Sequence, residues 1–448
     1  METIRSLPPG PALPALLQGI QYAFRPGPFF EACARHYGEC FTLRLPVGPR
    51  IEVLFSHPEA IRQIFTGDED KLRGGEAFIA LQPLLGAHSI LALDGARHER
   101  ERRLMMPPFH GERMLAYGET MRAIADWAIE RWPIGRPFPL HPEMQAITLE
   151  VILRTVFGAE GEGLKALRNL VQRFSRTVAN PMWLWPRLQI DLGPLSPWGR
   201  FLRAKCDLDT FLFAEFARRR ADSSAPRDDV LSLLLAARYE DGEPMRDGEL
   251  RDQMMTLLFA GHDTTATSLA FAFHNILRHP EVLERLRGEL VQVVGARPVA
   301  PEHIGKLEYL DAAVKETLRL NPIISEVGRM LASPMRIGGW DLPAGVVAAP
   351  CIYLAHRRPD VWPEPERFDP DRFVGRRPSP YEFFPFGGGV RRCLGMAFAL
   401  YEMKVVLATI LSRAELTIAP GYGVRVVRRN VTWVPSEGMP VVLTRRAA

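Results

Sequence analysis

The sequence predicts a mainly α-helical fold with a minor β portion, built as a single domain over residues 1–448. Three observations lead there. Apolar residues recur at helical spacing along most of the chain, above all in a pattern over 249–278 that would run about 45 Å as one helix. Strand signals are short, at 41–45 and 51–55 and again at Met335–Ile337 and 346–349, where proline and glycine become frequent. No internal repeat and no low-complexity linker divides the chain.

Composition narrows the function classes. The 448 residues are 47% hydrophobic and 24% charged, as in ordinary globular proteins. A formal net charge of +4 is small for this length, and no basic domain stands out, which argues against a nucleic-acid partner. Cys33, Cys40, Cys206, Cys351 and Cys393 are scattered, with no C-x-x-C pair and no disulfide-like spacing. With no signal-peptide pattern, a cytoplasmic location is expected. No stretch approaches about 20 consecutive apolar residues, so no transmembrane helix is expected. Leu13, Leu16, Leu17 and Ile20 follow a run of prolines and could meet a membrane surface; a lid packed against the body is the expected arrangement.

Taken in order, the two strands 41–45 and 51–55 flank a turn at Gly48-Pro49, and His57-Pro58 opens a helix with proline at an early position. Helical patterns follow at 97–104, 112–132, 143–157 and 164–177. Between 179 and 197 the chain carries Trp183, Trp185 and four prolines, which reads as an irregular apolar loop of the kind that lines pockets. A helix over 199–221 is broken by Ser223-Ser224-Ala225-Pro226. The long pattern 249–278 ends at His279-Pro280.

The most specific local pattern is Phe386-Gly387-Gly388-Gly389-Val390-Arg391-Arg392-Cys393-Leu394-Gly395. The glycines permit left-handed turns that other residues resist. A helix beginning right after Cys393 would turn its free N–H groups toward the sulfur, and the neighbouring arginines add positive charge, so a thiolate would be favoured. An isolated cysteine would more simply be core, but the ten-residue pattern outweighs that reading. The segment resembles the haem-binding signature F-x-x-G-x-R-x-C-x-G of the cytochrome P450 family at every fixed position. The resemblance spans about residues 35 to 440. It implies haem b buried between the long central helix and the cysteine loop, Cys393 as axial ligand of the iron, Phe386 near the sulfur and Arg391 on a haem propionate.

Inside the long helix, Ala260-Gly261-His262-Asp263-Thr264-Thr265 breaks local helix propensity. Small residues at Ala260 and Gly261 would let a cofactor and dioxygen approach, and an acid beside a hydroxyl can move protons. The stretch is similar to the family's [AG]-G-x-[DE]-T-[TS] motif, which implies Thr264 as hydrogen-bond partner of dioxygen and Asp263 as proton relay. A kinked helix with its threonines bonded back to carbonyls is the bland alternative. His262 is taken as a polar position without a metal role.

Glu316 and Arg319 share a helix face at i, i+3 spacing. The family's E-x-x-R pair is buried, and the resemblance completes it with an arginine from Pro365-Glu366-Arg367-Phe368; Glu316, Arg319 and Arg367 are therefore expected to form a structural triad. By weaker resemblance His98, Arg102 and Arg329 are further propionate partners. The stretch from Leu104 to Gly111 also looks similar to a bacterial branch of fatty-acid and terpenoid hydroxylases.

The resemblance implies a monooxygenase that inserts one oxygen atom of dioxygen into its substrate. No flavin or iron–sulfur signature is present, so electrons are expected from a separate ferredoxin or flavodoxin with its reductase, docked on a basic surface at Arg100, Arg103 and Arg392. Thr256, Ala260 and Thr264 share one helix face. Together with Phe78, Trp183, Ile323 and Val327, Thr256 and Ala260 are expected to line a pocket for a lipophilic fatty acid, terpenoid or polyketide. A monomer is expected. Two rivals remain: a peroxygenase or isomerase on the same fold, which would often lack the acid–threonine pair, and a non-enzymatic haem sensor.

Overall fold

The computed structural model describes residues 7–46, 51–109, 111, 113–178, 189–222, 228–429 and 431–446. The two early strands form where expected: Cys40–Arg44 pairs antiparallel with Ile51–Phe55, while the turn at Gly48-Pro49 lies outside the described residues. Ile51–Phe55 then runs parallel to Val347–Pro350, and Arg329–Leu331 and Leu72–Arg73 complete a five-stranded sheet. The inner strands are buried almost throughout, because helices and loops cover both faces. Three smaller sheets hold the remaining strands.

Helices make up the rest, and their ends have local causes. His57 Nδ1 accepts from the Glu59 amide at 3.2 Å and caps Pro58–Thr66, with Pro58 in the first turn. Helices Gly95–Met105, Arg113–Arg131, Leu140–Thr155 and Gly161–Val178 lie close to their expected ranges. Pro197–Ala221 starts two residues early because the Ser196 hydroxyl accepts from the Gly199 amide at 3.0 Å. The central helix, Asp247–Arg278, is 32 residues long. Glu249 steadies its start by accepting from the Arg246 amide at 3.0 Å. It packs against Leu140–Thr155, Met396–Arg413 and Glu308–Leu320, and so threads the main core. Among the described residues no helix is long and apolar enough to cross a membrane.

The N-terminal residues pack against the body, although the leucines expected to make that contact stay exposed. Their helix, Ala15–Phe24, lies beside strand Cys40–Arg44, but it is fastened there by Gln18 and not by its leucines.

Glu316 and Arg319 form a fully buried, two-pronged ion pair, with Nε–Oε2 2.7 Å and Nη2–Oε1 2.8 Å. Nothing is wasted around it. Arg319 also donates to the carbonyls of His356 and Pro365 at 2.8 Å and of Arg367 at 3.2 Å, and Glu316 accepts from the Asp369 amide at 3.0 Å. The expected third arginine needs correcting. Arg367 lends only its carbonyl; its side chain is 62% exposed and pairs with Glu364. The guanidinium that reaches Glu316 is that of Arg372, with Nε 3.3 Å from Oε1. The reason is a duplication: Pro-acid-Arg-Phe occurs at Pro365–Phe368 and again at Pro370–Phe373, and only the second copy turns inward, through a short helix over Pro370–Phe373. The carbonyl of His356 accepts from Arg319, and its ring nitrogen Nε2 accepts from the Phe384 amide at 3.0 Å, so the pair is tied to the segment leading into the cysteine loop. Burial, with Arg319 and Arg357 close by, holds this histidine well below its ordinary pKa, as an acceptor requires.

Arg319→Met strands a buried carboxylate and is expected to lower unfolding stability by about 3–5 kcal/mol in a urea titration. Arg372→Ala should lower it less, and Arg367→Ala should leave the midpoint unchanged.

Candidate functional site

The cysteine loop is a tight backbone construction. Gly387 and Gly389 adopt φ of +68° and +64°, and Gly388 lies so close to Phe65 that a Cβ there would come within 2.2 Å of its ring. The Cys393 amide closes the loop by donating to the Phe386 carbonyl at 2.9 Å. The helix expected right after the cysteine, Met396–Arg413, begins two residues later than Leu394, with Gly395 at its cap. The Gly395 amide still bonds the sulfur. Burial pushes the Cys393 thiol up, while that amide and the charges of Arg102 and Arg392 pull it back down. Cys393 is nevertheless accessible.

The central helix shows the same signature. From Thr265 to Ile276 every residue is buried, as are nearly all from Leu250 to Leu258. Between them Phe259–Thr264 become accessible, Ala260 most of all. Gly261 plays a different part from the one expected. It meets the neighbouring helix, where a Cβ would stand 2.8 Å from Ile152, so its small size serves helix crossing. Thr264 Oγ1 donates to the Ala260 carbonyl at 2.6 Å, and Thr265, Thr267 and Ser268 bond back in the same way. Asp263 instead leaves the helix: its Oδ1 accepts from Gln145 Nε2 at 2.6 Å. His262 Nδ1 lies 3.1 Å from the Leu258 carbonyl, and burial lowers its pKa.

Four basic side chains converge from three segments. His98 and Arg102 come from helix Gly95–Met105, Arg329 from the sheet and Arg391 from the cysteine loop. Burial holds His98 down at about 3, with Arg391, Arg102 and Arg329 adding repulsion, and its Nδ1 has no partner among the described residues. Arg329 is lowered to about 10 by burial and then by Arg391. Its donors reach the carbonyls of Gly328 and Gly388, at 2.9 and 3.3 Å. Arg391 is already engaged, bonding Asp94 and the carbonyls of Leu93 and Ile90. Gly74 leaves room for it, since a Cβ there would sit 2.9 Å from Nε. Mutually repelling, partly unsatisfied donors suit an anionic edge, so the donor set fits the two carboxylates of a haem. Arg102, Arg329 and His98 have the spare capacity for it.

The pocket expectations divide. Thr256 is buried and shares a 2.7 Å bond with the hydroxyl of Ser89, so it staples a strap of chain to the central helix and lines nothing. Gln253 completes that staple, donating to the His88 carbonyl at 2.7 Å and accepting from the Ile90 amide at 3.0 Å. Ile323 is core. Phe78 and Val327 remain half-exposed, and Val327 lies beside the cysteine loop near Gly387. Trp183 lies outside the described residues. The expected basic docking surface also shrinks. Arg100 pairs with Asp241 at 2.8 Å, and Arg103 pairs with Glu99 at 2.6 Å and Glu240 at 2.7 Å, which leaves Arg392 exposed. Sequence reasoning missed Gln145, Gln253 and Asp94. Only Asp94 left a signal, standing just before a helical pattern.

Comparisons with known proteins agree on one family. The model described as Cytochrome P450 matches residues 7–439. The chain is 43% identical over 441 residues to "Putative cytochrome P450 135B1" of Mycobacterium tuberculosis, covering 96% of this chain and 90% of that one. It is 38% identical over 447 residues to "Putative cytochrome P450 138" of the same organism, covering 98% and 97%. Among solved structures, retinoic acid bound cyanobacterial CYP120A1 superposes with a TM-score of 0.87 at 26% identity, covering 99% of this chain and all of that one. The cytochrome P450DA heme domain has the same TM-score at 24% identity, over 99% of each chain, and so shares the fold.

Gly389→Ala forces a side chain into a left-handed conformation and to within 2.2 Å of the Phe65 carbonyl. It is expected to cost about 1–2 kcal/mol from the backbone alone, read as a lowered midpoint in chemical unfolding, whereas Gly395→Ala meets open space and should be nearly neutral.

Proposed function

From the premise that this chain belongs to the cytochrome P450 family, and is therefore a haem-dependent monooxygenase, we propose that Cys393 would hold the haem iron through its thiolate and that the substrate is a lipophilic small molecule. The observation that carries the proposal is the accessible Cys393, its backbone amide fixed on the Phe386 carbonyl and its thiol favoured toward ionisation by the Gly395 amide and by Arg102 and Arg392. Haem b, when bound, supplies the iron at which dioxygen is reduced and split, one atom going to substrate and the other to water. Each other task falls to this chain's own residues.

Arg102, Arg329 and His98 would hold the carboxylates of the haem, while Arg391 is braced on Asp94. Phe386 closes the loop by accepting from the Cys393 amide. Ala260 keeps the mid-helix surface low enough for dioxygen and substrate. The Thr264 hydroxyl donates its proton to the Ala260 carbonyl at 2.6 Å, which leaves its oxygen lone pairs free to accept a hydrogen bond from a bound group. Asp263, one residue away and oriented by the Gln145 side-chain amide, would relay protons through its carboxylate. This acid–hydroxyl pair favours a monooxygenase over a peroxygenase or isomerase.

Phe78 and Val327 supply apolar lining, and the retinoic acid bound by the cyanobacterial neighbour supports a lipophilic ligand class. Electrons would come from a separate ferredoxin or flavodoxin, for which Arg392 offers an exposed cation within the cysteine loop. The whole chain acts as one domain.

The test is turnover under heavy-isotope dioxygen, with a surrogate ferredoxin and reductase and a panel of fatty acids and terpenoids. Product carrying one labelled oxygen is expected; unlabelled product, or none across the panel, would count against the proposal. Asp263→Asn should lower product formation about 100-fold, with the haem spectrum unchanged and reducing equivalents diverted to peroxide.

A further inference from the structure

The N-terminal helix Ala15–Phe24 wears its polarity inside out. Its buried side chain is a glutamine: Gln18 donates to the carbonyls of Pro11 and Leu13 at 3.1 and 2.7 Å and accepts from the Arg44 amide at 2.9 Å. One turn on, Tyr22 also points inward, its hydroxyl bonded to Glu326 and its ring 4.0 Å beneath the Arg428 guanidinium. Gly19 presses on Pro46, where a Cβ would come within 2.7 Å. The residues before the helix are fastened to the same strand, with Thr42 donating to the carbonyls of Pro8 and Pro9 at 2.6 and 2.9 Å. The helix is thus held firmly by its polar side.

What faces outward is apolar. Leu13, Leu16, Leu17, Ile20 and Phe24 recur at three- and four-residue spacing and stand 44 to 75% exposed. A helix on a water-facing surface places such residues the other way round. From residue 7 to residue 30, Arg25 is the only charged residue. Exposed Arg25 closes the stripe at one end, and exposed Arg44 stands beside Gln18, with no carboxylate on the helix itself.

We propose that this face docks on an anionic lipid surface. An apolar stripe bordered by arginines is the chemistry of an interfacial helix, apolar side chains entering the acyl boundary and guanidinium groups meeting anionic headgroups. A second copy of the chain suits it less well. A ten-residue helix is about 15 Å long, and one such stripe falls far short of the roughly 800 Å² per partner of a standard protein interface. The proposal stands apart from the haem site and from the choice of substrate.

The experiment is flotation of the haem-loaded full chain with vesicles of phosphatidylcholine, alone or with phosphatidylglycerol. The protein should partition onto the phosphatidylglycerol vesicles and be released by salt. The triple variant Leu16→Gln, Ile20→Gln, Phe24→Gln should lose partitioning by about tenfold or more while keeping its haem spectrum and melting temperature. Arg25→Gln with Arg44→Gln should weaken binding and remove most of its salt sensitivity. Absence of partitioning, equal binding to neutral vesicles, or undiminished binding of the triple variant would overturn the proposal. A dimer in sedimentation equilibrium that the triple variant dissociates, with no vesicle binding, would assign the face to a second copy instead.

Discussion

Desolvation governs this molecule: charge is kept where water is scarce, and most of the fold is arranged to tolerate it. Enclosure disfavours an ionised Cys393, and only the Gly395 amide and the charges of Arg102 and Arg392 work against that penalty. The same enclosure lowers Arg329 and His98, and the charge of Arg391 lowers both further. A thiol that resists ionising beside guanidinium groups that resist protonation is a poor arrangement by itself. It becomes a balanced one around a ligand that brings a metal cation to the sulfur and carboxylates to the arginines. The unfavourable electrostatics of the site and the chemistry of haem are complementary, which is why the site reads as built for that group.

Rigidity comes from elsewhere. The Glu316–Arg319 pair is fully buried and saturated by carbonyls and amides from the segment His356–Asp369. Through His356 and the Phe384 amide this node reaches the residues that enter the cysteine loop. On the opposite side, Thr256 and Gln253 staple the strap at His88–Ile90 to the central helix, and the carbonyl of Ile90 in turn receives Arg391. Two independent polar networks therefore converge on the loop that carries the cysteine.

Much of this was legible in the sequence, and the gaps have physical reasons. Long, regular helices such as Asp247–Arg278 announce themselves by period, and the glycine loop by its φ requirements. Local patterns succeed where the cause is local. They fail where the decision is tertiary. Nothing in the chain says which of two Pro-acid-Arg-Phe copies turns inward, and the family resemblance points to Arg367 where the fold uses Arg372. Thr256 shares a face with Thr264, but a partner from a distant strap, Ser89, covers it. Arg100 and Arg103 look like a free basic run until Glu240 and Asp241 fold back onto them. The apolar N-terminal residues were expected to pack inward as a lid, and it is Gln18 that does so.

The central claim is that the Cys393 sulfur ligates the haem iron. The absorption spectrum of the reduced protein with carbon monoxide tests it most directly, compared with Cys393→Ser. The account predicts the long-wavelength Soret band that gives the family its name, and its loss in the serine variant. A band where histidine-ligated haems absorb, or an unchanged spectrum in the variant, would contradict it.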